Sequence, residues 1–152
     1  MPLVAIIMGS PNDKEYMKNS EDYLKYFGVE YELKVLSAHR NPEAVADFAK
    51  NADSNGIKVI IAAAGMAAHL GGVVAAHTIL PVLGVPLKGG VMDGLDALLS
   101  MVQMPAGVPV PTMSVGNAGA KNAAITAVQI LALSDNDLKE KLIEFKRNGC
   151  RI

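Results

Sequence analysis

The chain lacks tryptophan, has a single cysteine and is only 5% aromatic. Cys150 has no partner for an internal disulfide, which agrees with a reducing compartment. A nucleophilic cysteine needs a nearby base and a lowered pKa; this one lies near the C-terminus and reads as an incidental thiol. The three histidines occur singly, with no HxxxH or CxxC spacing, so no metal site is expected. No P-loop and no GxGxxG run is present. Charge of one sign is also missing: 14 basic residues face 15 acidic ones, for a formal net charge of -1. That balance gives no basic patch for nucleic acid. No apolar run reaches the roughly 18 residues of a membrane span. The start, Met1-Pro2-Leu3-Val4, lacks the basic region and cleavage site of a signal peptide. The expected location is cytoplasmic, with no membrane and no nucleic-acid partner.

What is present is apolar, 51% of 152 residues. That length fits one domain, since domains cluster near ~100–150 residues. We read 1–152 as a single catalytic domain. Strand-like runs alternate with helical patterns throughout. Val4 to Met8 is a continuous apolar run, as in a strand buried on both faces of a parallel sheet. A turn at Gly9 to Asp13 leads to a helix over Lys14 to Phe27, stopped by Gly28. Further strands are expected over Tyr31 to Leu36, Val59 to Ala64, Pro81 to Val85 and Thr112 to Val115. Further helices are expected from Pro42 to Ala52, after Gly72 to Thr78, from Asp93 to Gln103 and from Ala118 to Leu133. A polar helix over Asp135 to Asn148 is expected on the outside. Five β/α units imply an α/β fold: a three-layer α/β/α sandwich with a flavodoxin-like parallel sheet of about five strands. The small-residue helices permit close packing, either inside the subunit or against another one.

Chemistry concentrates where strands end, because ligands bind at the carboxyl edge of open α/β sheets. Ser37-Ala38-His39-Arg40 follows a strand and opens a helix. An imidazole there can both give and take a proton around neutral pH. A guanidinium can grip a phosphate or carboxylate with two hydrogen bonds. The competing reading is a capped turn, with Ser37 or Asn41 as the cap and Arg40 paired to Glu43. Ser10, Asn12 and Asp13 occupy the first strand-to-helix turn, where free backbone N–H groups attract phosphate. The competing reading there is a capping box of Asn12 with Glu15. Gly65 to Gly72 is a side-chain-poor loop holding His69; small residues let amides approach a ligand and let a loop close. From pattern alone a lone histidine in such a segment is better read as a core residue, and His77 likewise.

Taken together, the motifs resemble a known family. MGSxxD (Met8 to Asp13), SAHR (Ser37 to Arg40), AGMAAHL (Ala64 to Leu70) and PVLGVP (Pro81 to Pro86) occur in order. DGLDALLSMVQMPAGVPV (Asp93 to Val110) and GNAGAKNAA (Gly116 to Ala124) follow. The set resembles the 5-(carboxyamino)imidazole ribonucleotide mutases of purine biosynthesis, class I of the aminoimidazole ribonucleotide carboxylase family. The resemblance covers about Val4 to Leu133. It implies a flavodoxin-like subunit in a homo-octamer, an isomerase that moves a carboxylate from an exocyclic nitrogen to ring carbon 4, and no metal or organic cofactor. By motif, His39 matches the catalytic histidine. Ser10, Asp13 and Arg40, with Asn12 beside them, match the ribose-phosphate site. Ser37, Gly65, Met66, Ala67, His69 and Leu70 match the pocket for the base and its carboxylate.

The chain departs from the commoner pattern at several places. Asn12, Gly89 and Ala97 stand where serine is frequent, Ala63 and Met66 where glycine is, and Gly71 where proline is. Two other readings stay open here. One is a direct carboxylase of the sister class, using carbon dioxide. The other is a phosphate-ligand binding module without catalysis.

Overall fold

The computed structural model describes residues 1–152. Four parallel strands form one sheet: β1 (Val4–Met8), β2 (Tyr31–Val35), β3 (Val59–Ala64) and β4 (Val82–Pro86), in the order β2-β1-β3-β4. The pairing puts Val4 opposite Tyr31 on one side and Val59 on the other. β1, β3 and β4 are buried along their whole length, which is why their sequences are unbroken apolar runs. β2 lies at the edge and alternates instead. Its Glu32 and Lys34 pair at 3.3 Å, a charged device that blunts an open strand.

Six α-helices cover the sheet: α1 (Lys14–Phe27), α2 (Pro42–Asn51), α3 (Leu70–His77), α4 (Leu95–Val102), α5 (Asn117–Leu131) and α6 (Asn136–Arg147). The alternation of side chains along the strands divides the core in two. Val4, Ile6 and Met8 face α1, α5 and α6, while Ala5 and Ile7 face α2, α3 and α4. The result is the expected α/β/α sandwich. No helix is long and apolar enough to cross a membrane.

Local chemistry fixes the helix ends. Gly28 takes φ 73°, its N–H reaches Leu24 and Lys25, and the N–H of Val29 returns to Leu24. That is a left-handed stop which a β-carbon would strain. On the seam between α1 and α5, Ser20 is fully buried and donates to the carbonyl of Ala120 at 2.6 Å. Gly119, Ala120, Ala123, Ala124 and Ala127 are buried along the same helix. Small side chains let this helix press on its neighbours, so the chain itself already buries much of its alanine-rich surface. The polar C-terminal helix is not merely laid on the outside: Leu138 and Phe145 enter the core, and Phe145 packs edge-on to Phe27 with ring centroids 5.3 Å apart.

The fifth strand expected over Thr112 to Val115 is reduced to one bridge between Thr112 and Gly84. Backbone bonds from Gly84 to Pro111, Met113 to Gly84 and Gly116 to Pro86 still lay this segment beside β4. Prolines at 109 and 111 lack the N–H groups a longer ladder would need.

Candidate active site

The carboxyl ends of β1, β2, β3 and β4 open on one edge, and the singled-out residues gather there. After β1, Ser10 accepts a hydrogen bond from the Asn12 N–H at 3.2 Å and caps the short turn Pro11–Asp13. Asn12 sits inside that turn, so the capping box with Glu15 does not form. Asp13 precedes α1 without a side-chain cap of its own. Burial pushes its carboxyl above the usual range, partly offset by a backbone hydrogen bond at Ser10. A carboxylate left uncapped and half-desolvated at a strand end is arranged for something other than helix stability.

After β2, Ser37 accepts from the Arg40 N–H at 3.2 Å, and the Asn41 N–H bonds to the Ser37 carbonyl. This tight turn presents His39 and Arg40 to solvent. Arg40 enters none of the ion pairs of the chain, so the expected alternative pairing with Glu43 does not occur. An exposed, unpaired guanidinium keeps its fork of donors free for an anion.

After β3, the segment Gly65 to His69 makes a strained turn into α3. Met66 has φ 52° and Ala68 φ 25°, both in the left-handed region. Met66 is the position where the resemblance calls for glycine; here the same backbone is held by a residue that pays a steric penalty. Ala67 is exposed, whereas Leu70 is buried and anchors the start of α3. Gly65 lies close against the backbone of Leu87 and Lys88.

The turn after β3 delivers His69 onto His39. The His39 Nε2 and His69 Nδ1 atoms are 2.5 Å apart, and the rings meet edge-on at 85° with centroids 4.7 Å apart. One nitrogen must donate and the other accept, so the facing atoms share one proton. From pattern alone His69 looked like a core residue; the structure leaves it exposed and paired. His77 is likewise exposed and not a core residue; its Nδ1 bonds to the Val73 carbonyl of its own helix at 2.8 Å.

Two further residues lie at the edge: Asp96, which the sequence places near it with Ser100, Gln103 and Met104-Pro105 but which says little alone, and Lys88, which sequence reading did not single out. Asp96 accepts from the Val91 N–H at 3.0 Å and ties the loop after β4 to α4. Lys88 follows β4 much as Arg40 follows β2, and that position just beyond a buried strand was the available signal. A concavity of about 700 Å³ lies elsewhere, over Val102 to Pro111, away from the histidines. The gathered side chains lie on an open ledge of the chain.

The chain as a whole is similar to known proteins. The AIR carboxylase family matches residues 3–151. An N5-carboxyaminoimidazole ribonucleotide mutase from Bacillus subtilis is 55% identical over 147 residues, 97% of this chain and 91% of that protein. One from Saccharolobus solfataricus is 53% identical over 148 residues, 97% of this chain and 92% of its own. The crystal structure of Treponema denticola PurE superposes with a TM-score of 0.88 at 28% identity, covering 99% of this chain and 92% of that one. Matched from end to end, and not through the histidine turn alone, the chain belongs to the AIR carboxylase family.

Proposed function

We propose that this protein is an N5-carboxyaminoimidazole ribonucleotide mutase, an isomerase of purine biosynthesis. The observation that supports it best is the His39–His69 contact beside the Ser37–Arg40 turn, in a chain more than half identical to named mutases. The sister carboxylase and the non-catalytic binding module have no comparable support.

The reaction needs one proton twice. Protonation of the exocyclic nitrogen breaks its bond to the carboxylate and frees carbon dioxide. The free amine makes ring carbon 4 nucleophilic, and carbon 4 attacks the carbon dioxide. Loss of the carbon 4 proton then restores aromaticity. His39 fits the donor and later the acceptor, so no net proton is consumed. His69, touching Nε2, fits a positioning role that fixes the tautomer of His39.

Arg40, Ser10, Asn12 and Asp13 fit the ribose-phosphate end, and Asp13 suits sugar hydroxyls better than phosphate because like charges repel. Ser37 and Gly65 through Leu70, with Met66, Ala67 and His69, fit the wall around the base. A ledge this open must be closed for carbon dioxide to be retained. A second copy of the chain is the natural cover, in line with a homo-octamer, and the location is cytoplasmic.

The decisive experiment supplies each substrate separately. The N-carboxylated ribonucleotide should be converted without added bicarbonate. Turnover only from aminoimidazole ribonucleotide plus carbon dioxide would assign the chain to the sister reaction.

A further inference from the structure

We propose that Lys88 is a specificity-determining residue of this site, a cation set to face the migrating carboxylate. The inference rests on the mutase reading and deepens it. A substrate with a phosphate at one end and a carboxylate at the other is anionic twice. The ledge carries cations beyond both of its outer strands. Arg40 lies after β2 and Lys88 after β4, with β1 and β3 between them. Strands are spaced about 4.8 Å apart, so the two positions stand roughly 14 Å apart along the edge. The histidine pair joins the turns after β2 and β3, and so lies between the two cations.

Three details set Lys88 apart from an ordinary surface lysine. Its backbone carbonyl lies against Gly65, where a β-carbon would come within 3.7 Å of it. By its backbone, position 88 therefore borders the loop that runs on to His69. Its aliphatic arm rests on Gly116, where a β-carbon would stand 3.4 Å from Cε. That backbone seat limits the arm's freedom before any ligand arrives, which lowers the entropy lost on binding. Finally, its charge is poorly compensated. The one carboxylate in reach, Asp93, is 3.8 Å away, and the two side chains are 51% and 69% exposed. Such a pair contributes little and yields readily to a better anion. Lys14 also lies at this edge, at the start of α1 after β1, but it is not among the neighbours of Gly65.

Lysine offers a point charge with rotatable donors, without the fixed fork of arginine. Such a group can pair with the carboxylate on the exocyclic nitrogen before it leaves as carbon dioxide, and again once carbon 4 has recaptured it. Arg40 would hold the end that does not move.

The test is titration calorimetry on the full chain, with Lys88→Gln and Lys88→Arg beside wild type. Two probes are used: the carboxylated product ribonucleotide and aminoimidazole ribonucleotide, which has no carboxylate. Lys88→Gln should weaken the first about tenfold or more, as expected when a charged hydrogen bond is lost, and leave the second unchanged. Lys88→Arg should recover most of the loss. Equal weakening of both probes, or of neither, would overturn the assignment of Lys88. If the wild-type protein failed to interconvert the two carboxylated ribonucleotides, the mutase reading itself would fall, a result separable from any effect of the variants.

Discussion

His39 and His69, 30 positions apart in the chain, meet through Nε2 and Nδ1 at 2.5 Å. Neither ring is buried, and neither bonds to a carboxylate. A hydrogen-bonded imidazole pair has one proton on its inner side and free nitrogens on its outer sides, so a proton lost at one ring can be balanced at the other.

His39→Asn is expected to lower turnover by ~10²-fold or more, the usual scale for removing a general acid–base group, while the ribonucleotide still binds. His69→Asn should cost less and should shift the pH profile of kcat, since it disturbs the partner of the proton carrier and not the carrier itself. The check is a pH–rate series on both variants. A wild-type profile for His69→Asn would separate the two rings functionally.

Arg40→Ala should weaken ribonucleotide binding by about 1.5–3 kcal/mol, the range for hydrogen bonds to charged groups. The guanidinium has no internal partner to lose, so folding stability should hold. Calorimetric titration of ligand and a thermal melt on the same sample distinguish the two effects.

Asp13→Asn tests a cost carried by the site. Burial raises the carboxyl's pKa in the folded chain above its ordinary value of 3.8. A raised carboxyl favours the folded state while it is protonated and disfavours it once ionised, so its ionisation subtracts from stability as pH rises above 3.8. The amide should therefore raise the melting temperature of the unliganded protein at neutral pH. That gain should shrink towards zero in acid. A variant less stable than wild type at neutral pH would show that the helix-dipole attraction outweighs desolvation.

Tyr31 gives a spectroscopic prediction. Desolvation, with the Glu21 carboxylate accepting its hydroxyl proton at 2.6 Å, pushes its pKa up to about 12. The neutral phenol is favoured by folding, so this contribution is intact below 10 and is lost as pH climbs through about 12. An alkaline absorbance titration should show one tyrosine ionising late, and Glu21→Gln should bring it earlier.

Gly119→Ala tests how α5 is seated. An added β-carbon would overlap the Ser114 backbone carbonyl, which cannot move aside as a side chain could. Overpacking against rigid backbone should cost about 3 kcal/mol or more, read as a lower urea midpoint. A wild-type midpoint would mean that the helix begins elsewhere.

Most of the fold could be read along the chain because it rests on local rules. Unbroken apolar runs marked β1, β3 and β4, and Gly28 marked the end of α1. The candidate residues of the turns after β1 and β2 were visible too, since a strand end followed by Ser, His and Arg is a short-range pattern. The fifth strand was overcounted because an apolar stretch does not show that flanking prolines starve its ladder of donors.

From sequence alone came the alternation of strand and helix, the edge at which chemistry gathers, and the family. Those follow from spacing, residue type and motif order, which are written in one dimension. The meeting of His39 with His69, the free state of Arg40 and the seat of Lys88 on Gly116 were decided only in three dimensions. Each depends on which strands become neighbours, and the placing of β1 between β2 and β3 is a long-range packing choice that no local stretch encodes.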